Sequence, residues 1–357
     1  MKQTEQVIVK CRANRQIVGF RALMLVAAAL VPVFLAPKVA AFDGRTDEAV
    51  AVWQHNDGLG ATLPGWDIWY SIAGRDAQGN LGWHARRPDG TTAQTAPIAP
   101  PFGTPPAGDD KNPQVGVTAA YALAIWQHAD GVGSAPGPWS IFSSRLDLGT
   151  GVWTSPSIVA NGTNDADHFD PAVAVDTNSA LAVWVRRRNV GGLLNSELPR
   201  EIFFAVRVNN AWSLPLPVGF TGGRASLPEV TFTSVPAVAG SPLAQQAVAV
   251  WSDVGTNGLQ SPHKMFYSIF DGINWSSPAE IGTEAVPAIP DVAFAVYSPS
   301  EEMPFGAHGR IGLSADAVGK VYVIWSGGPE IFGQCSPPVF DSCPQPAPSP
   351  GVAGAIL

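Results

Sequence analysis

The sequence predicts an all-β chain of about five four-stranded antiparallel blades, and three observations carry that expectation. The 357 residues include 37 Gly and 33 Pro, while only 14% are charged. That is the composition of short apolar runs broken by frequent turns. A strand-like stretch ending in Trp recurs five times: "AVAVW" at 49–53, "ALAIW" at 122–126, "ALAVW" at 180–184, "AVAVW" at 247–251 and "VYVIW" at 321–325. Beyond the first 41 residues, no helical periodicity of useful length competes with this pattern.

Each copy reads the same way from one strand to the next. The Trp residues lie 73, 58, 67 and 74 positions apart, a period suited to a four-stranded unit with variable loops. A second strand follows the Trp: "DIWYSI" (67–72), "SIFSSR" (140–145), "EIFFAV" (201–206), "KMFYSI" (264–269) and "EIFG" (330–333). Turn residues come next, in "DAQGN", "DLGTG", "NN" and "DG". A second Trp opens a third strand, with Pro three residues on in "WTSP" (153–156), "WSLP" (212–215) and "WSSP" (275–278). The fourth strand precedes the Trp strand of the following copy: "PQVGV" (113–117), "PAVAV" (171–175), "PEVTF" (228–232) and "RIGLS" (310–314). Side chains alternate along a strand, so Ala51 and Trp53 share one face and Val50 and Val52 the other. Both faces are apolar, so the strand is covered on both sides. A repeated antiparallel sheet covered on both faces describes a β-propeller blade. A β-sandwich array is the alternative, although a sandwich has no reason to repeat one sentence at a near-constant period. The first copy lacks a strand ahead of "AVAVW"; "PDVAFAVYS" (290–298) or "GVAGAIL" (351–357) is available to complete the count.

The organisation around the repeat is that of an exported protein. Residues 1–41 read as a signal peptide: basic residues from Lys2 to Arg21, the apolar run "ALMLVAAALVPVFL" (22–35), then "VAA" at 39–41 before cleavage. Residues 42–334 form the repeat domain, and 335–357 a Pro-rich tail. The formal net charge is −8. Cleavage removes six basic residues and one acid, so the mature chain is more acidic still. That excludes nucleic acid as a partner and leaves no stable membrane insertion after cleavage. Cys335 and Cys343 are the two cysteines of the mature chain, an even and closely spaced pair that reads as a local disulfide in an oxidising compartment.

On these residues the chain resembles a family of bacterial exported repeat proteins predicted as propellers, most clearly over 171–215. More distantly, "SRLDLGTGVW" (144–153) and "SIFDGINW" (268–275) are similar to the Asp-box turn of sialidase-like propellers. What the resemblance implies is chiefly architecture. A sialidase needs an arginine trio, a Tyr nucleophile with a Glu partner and an Asp acid. Its Arg-Ile-Pro signature is missing near the start, with "RIG" at Arg310 the nearest match.

Three groups of residues are candidates for chemistry. "QHNDG" and "QHADG" follow the first two Trp residues and place His55, Asp57, His128 and Asp130 where each strand leaves the sheet. Arg186, Arg187 and Arg188 hold the same position in the third copy and suit an anionic ligand on the rim. The polar stretch "NGTNDADHFD" (161–170) offers Asn164, Asp165, Asp167 and Asp170 as oxygen ligands for a structural Ca²⁺, read as a loop between blades. No cofactor is otherwise expected. The expected function is a non-enzymatic secreted propeller that binds a glycan or an extracellular protein through the loops of one rim. A sialidase-like glycoside hydrolase and a structural surface repeat protein are the alternatives. The two histidines are expected to be dispensable for folding, because later copies replace them.

Overall fold

The computed structural model describes residues 7–10, 49–55, 66–75, 81–86, 92–93, 95–98, 108–130, 138–163, 165–188, 199–254, 263–281, 311–315 and 321–325. The chain is all-β and of the propeller type, built from repeated antiparallel blades, with no helix among the described residues. No helix among them is long and apolar enough to cross a membrane. The chain divides into two units, Met1–Phe220 and Thr221–Leu357.

The first unit carries three blades. The first orders β1 (Val7–Lys10), β2 (Ala49–His55), β3 (Asp67–Arg75), β4 (Leu81–Arg86) and the short β5 (Thr92–Ala93), with β6 (Ala96–Pro97) on β3. The second orders β7 (Gly108–Val117), β8 (Tyr121–Asp130) and β9 (Trp139–Asp147), and both β10 (Val152–Trp153) and β11 (Ser157–Ala160) pair with β9. The third repeats this with β12 (Ala166–Val175), β13 (Ser179–Arg188) and β14 (Arg200–Val208), flanked by β15 (Ala211–Trp212) and β16 (Leu216–Gly219). In the second unit, β17 (Arg224–Pro236), β18 (Gln245–Val254), β19 (His263–Phe270) and β20 (Ala279–Glu280) make the fourth blade. There β21 (Ile311–Ala315) pairs with β22 (Val321–Trp325) in the fifth.

The Trp strands are buried on both faces as their pattern requires. Val50, Val52, Leu123, Ile125, Trp184 and Trp251 are all fully buried. Alanines at the intervening positions let neighbouring blades approach. In the second and third copies the second Trp ties its blade to the one before. Trp153 meets the ring of Tyr70 edge-on at 5.2 Å, and Trp212 Nε1 donates to Ser143 Oγ at 2.9 Å.

Three details depart from the sequence expectation. The third strand is split in two, because Pro156 and Pro215 have no N–H to give the ladder. The residue after the Trp makes the last bond: Thr154 N to Arg145 O, Ser213 N to Val206 O and Ser276 N to Ile269 O, each at 2.8 Å. The strand ahead of each Trp strand is longer than expected and starts well before its Pro. It passes the Pro by a β-bulge: the register shifts between Lys111 and Gln114, between Phe169 and Ala172, and between Ser226 and Glu229. The residue before each Pro is left-handed, Asn112 at φ 51°, Asp170 at φ 50° and Leu227 at φ 51°. A left-handed residue absorbs the extra position, and Asn and Asp accept that conformation more readily than Leu. Finally, the first blade does have a strand ahead of "AVAVW". Val7–Lys10 pairs with β2, Val7 opposite Trp53 and Lys10 opposite Val50, from within the residues read as a signal peptide. The expected disulfide Cys335–Cys343 and the strands at 290–298, 330–333 and 351–357 lie outside the described residues, as does the tail.

Candidate functional site

Past the bulges, one end of the second and third blades gathers charged and aromatic side chains. The bulges themselves are held between blades by the glutamine of Trp-Gln-His. Gln54 Oε1 accepts the backbone N–H of Asn112 at 3.0 Å, and Gln127 Oε1 accepts that of Asp170 at 3.1 Å. Asn112 Nδ2 donates to Gln127 Oε1 at 3.0 Å and to Asp170 Oδ1 at 3.1 Å. The glutamine of one blade thus satisfies the left-handed residue of the next, a donor that the bulge removes from the ladder.

The histidines stand on the other face of the same strands. His128 Nδ1 lies 2.7 Å from Asp110 Oδ1, to which Trp126 Nε1 also donates at 2.9 Å. A carboxylate only accepts, so the proton sits on Nδ1. The imidazole also meets Phe142 edge-on at 4.9 Å, and the side chain is 9% exposed against 25% for Asp110. Gly108 lies close against it: a Cβ there would stand 2.8 Å from His128 Cε1 and 2.4 Å from Ala129 O. His55 meets Trp69 edge-on at 4.8 Å. In the third blade His168 replaces Asp110, and its Nδ1 accepts from Trp184 Nε1 at 2.8 Å. Burial, and then Arg186, push His168 down to about 4, so it is neutral at physiological pH.

The face that carries Gln127 is a run of ion pairs and rings. Lys111 Nζ pairs with Asp109 Oδ2 at 2.7 Å and lies 6.0 Å from the Trp66 ring and 5.4 Å from the Trp139 ring. Trp139 N donates to Asp167 Oδ1 at 3.0 Å, and Arg187 donates to Asp167 Oδ2 at 2.7 Å. The Phe169 ring sits between two guanidinium groups, Arg187 at 5.5 Å and Arg200 at 5.4 Å. Aromatic faces beside cations in this way gain from the ring quadrupole.

Set against the sequence candidates, the structure brings some together and separates others. His128 belongs to the Asp110 group and Arg187 to the Asp167 group. Arg186 lies on the opposite face of β13 with its guanidinium 4.8 Å from the Phe203 ring, and Arg188 is exposed at the strand end. The three arginines are therefore strand residues. The Ca²⁺ loop is corrected likewise: residues 166–170 are the start of β12. Asp167 is 1% exposed and already held by Arg187 and Trp139, Asp170 bonds Asn112, and Asp165 points into solvent. These carboxylates do not converge, and no group of three metal-ligating side chains occurs among the described residues. Asp57 and Asn164 lie outside the described residues, and Asp130 is placed only as the last residue of β8. Asp110, Lys111, Trp66 and Trp139 are absent from the sequence candidates. Their signal lay in aligning "GDDKNP" with "ADHFDP" on the shared Pro.

No family model and no curated protein matches the chain. Among solved structures it is similar to an α-L-arabinofuranosidase from Lactobacillus brevis, at 12% identity and TM-score 0.36 over 66% of this chain and 74% of that one. It is similar to a family 117 glycoside hydrolase from Zobellia galactanivorans, at 12% identity and TM-score 0.39 over 78% and 79%. A third is a polysaccharide lyase acting on ulvan, at 9% identity and TM-score 0.40 over 67% and 56%. The expectation of a non-enzymatic binding module is corrected on this finding, since these structures are carbohydrate-cleaving enzymes.

Proposed function

We propose that the chain is an exported glycoside hydrolase acting on a polysaccharide. The observation that carries this reading is the end of the second blade, where Asp110 is held by His128 and Trp126 on one face of the sheet and Lys111 lies against the rings of Trp66 and Trp139 on the other. Glycoside hydrolysis calls for carboxylates that handle protons or attack the anomeric carbon, and flat aromatic faces suit the apolar faces of sugar rings. Among the described residues both side-chain hydrogen bonds on Asp110 fall on Oδ1, which leaves Oδ2 to meet a sugar or an attacking water. His128 and Trp126 fix its orientation. Asp109 does not share the role, because adjacent strand residues point to opposite faces. Asp167 does not either, being buried in its ion pair.

The test is reducing-end release from arabinan, ulvan and polygalacturonate by the purified exported protein. Release from at least one polymer is expected, and Asp110→Asn should lower it by about 100-fold or more. No release from any of them, or an Asp110→Asn variant at the wild-type rate, overturns the reading.

A further inference from the structure

At the end opposite Asp110, the seam between the second and third blades is flanked by two arginines. Ile141 of β9 lies in the core between these blades, and Ser143 and Arg145 share its face because strand side chains alternate. Arg207 stands opposite Ala180 of the same core in β13 and opposite Trp212 in β15, so it faces the second blade. Trp212 Nε1 donates across the seam to Ser143 Oγ at 2.9 Å, which fixes the two strands beside the arginines. The Arg145 guanidinium lies 4.6 Å from the Tyr121 ring, and the Tyr121 hydroxyl donates to Asp176 O at 2.6 Å. Burial pushes that hydroxyl above its ordinary range, so it brings no negative charge. Burial also pulls Arg207 below its ordinary value; Tyr121 opposes the shift and Arg145 adds to it. A guanidinium stays protonated all the same. The two acids nearby serve their own turns: Asp147 accepts from Thr150 N at 2.9 Å, and Asp176 from Thr177 N at 2.6 Å. Among the described residues neither Arg145 nor Arg207 forms an ion pair or a side-chain hydrogen bond. The turns at this end, 118–120, 148–151, 176–178 and 209–210, all belong to those residues. Both arginines are half-buried, so solvent reaches them. Guanidinium forks facing one seam suit an oxyanion, which takes parallel N–H donors. We infer that Arg145 and Arg207 form a binding site for the carboxylate, sulfate or phosphate group of a ligand. The site lies about 20 Å along β8 from His128 and Asp110, at about 3.3 Å per residue. It is therefore separate from the glycan site proposed above and does not depend on that reading.

Titration calorimetry of the full exported chain at low salt tests this with three probes. They are sodium sulfate, sodium phosphate and sodium galacturonate, each against sodium chloride of equal ionic strength. Saturable binding of at least one probe, at about 1 mM or tighter, is expected. The probe that binds tightest separates a sugar carboxylate from a free sulfate or phosphate. Arg145→Gln and Arg207→Gln should each weaken that binding by about tenfold or more. Arg145→Lys and Arg207→Lys keep the charge without the fork and should weaken it less. They also hold the comparison at a position whose glutamine variant does not fold, which melting curves reveal. Arg188→Gln, at the other end of β13, should leave binding unchanged. No saturable binding of any probe, binding unmoved by substitution of either arginine, or equal weakening in Arg188→Gln overturns the inference. The readout needs no cleavage, so the anion site and the hydrolase reading fail or stand separately.

Discussion

Gln127 in the second blade accepts the backbone N–H of Asp170 in the third through its side-chain oxygen, at 3.1 Å. The same oxygen takes Asn112 Nδ2, and Gln54 repeats the arrangement one blade earlier. This is the reason Trp-Gln-His is written twice: the Trp fills the core, the Gln holds the next blade's bulge, and the His belongs to the opposite face. Gln127 is 7% exposed, so truncating it strands a buried donor. Gln127→Val, the residue type at the same point of the third copy, should cost about 1–3 kcal/mol. Gln127→Glu keeps the acceptor and should cost less. Urea unfolding of the two variants measures the difference.

His128 is more than a rim residue. It is buried, and its ring packs on Phe142 and bonds Asp110. His128→Ala should therefore destabilise by roughly 1–3 kcal/mol, against the sequence expectation that both histidines are dispensable for folding. Urea unfolding of His128→Ala beside wild type reads this directly; equal midpoints would sink the structural role.

His168 makes stability depend on pH. Its folded pKa, about 4, lies below the ordinary 6.5. Between those values the unfolded chain binds the proton and the folded one does not. Stability is therefore complete above pH 6.5 and is lost as pH falls toward 4. A proton on Nδ1 would also face the Trp184 N–H instead of accepting from it. The full loss is about 3 kcal/mol. His168→Gln keeps an acceptor without the titration, so its stability should change less between pH 7 and pH 4 than that of wild type. Chemical denaturation at both pH values decides it.

Asp253 in the second unit runs the other way. It is 3% exposed, its Oδ1 has no hydrogen-bond partner among the described residues, and burial raises its pKa although Thr221 and Arg224 pull it down. A raised folded pKa means the unfolded chain gives up its proton first. Stability present at low pH is then lost as pH rises through the folded value. Asp253→Asn retains a partner for Thr221 and should raise the melting temperature at pH 7, with a smaller gain at pH 4. A variant less stable than wild type at pH 7 contradicts this.

The blades are legible in the amino-acid order alone. A strand buried on both faces must be apolar at every position, so five copies of small-apolar-Trp strands expose the period whatever the loops do. The turn residues and the Pro after each second Trp are local signals of the same kind. Which polar groups meet is settled only once the strands are paired and packed. Residues 161–170 read as an acidic loop in sequence, because the apolar strand pattern starts only at Pro171. The left-handed Asp170 lets the strand run through that Pro, so that Asp167 becomes a ladder residue held by Arg187 and Trp139, and Asp170 a bulge residue bonded to Asn112. Asp110 likewise gains its role from Trp126 and His128, sixteen and eighteen positions away and brought beside it by strand pairing. Burial is written residue by residue, but a hydrogen bond between strands depends on register. Register here turns on the bulged residue ahead of the Pro in the second, third and fourth blades.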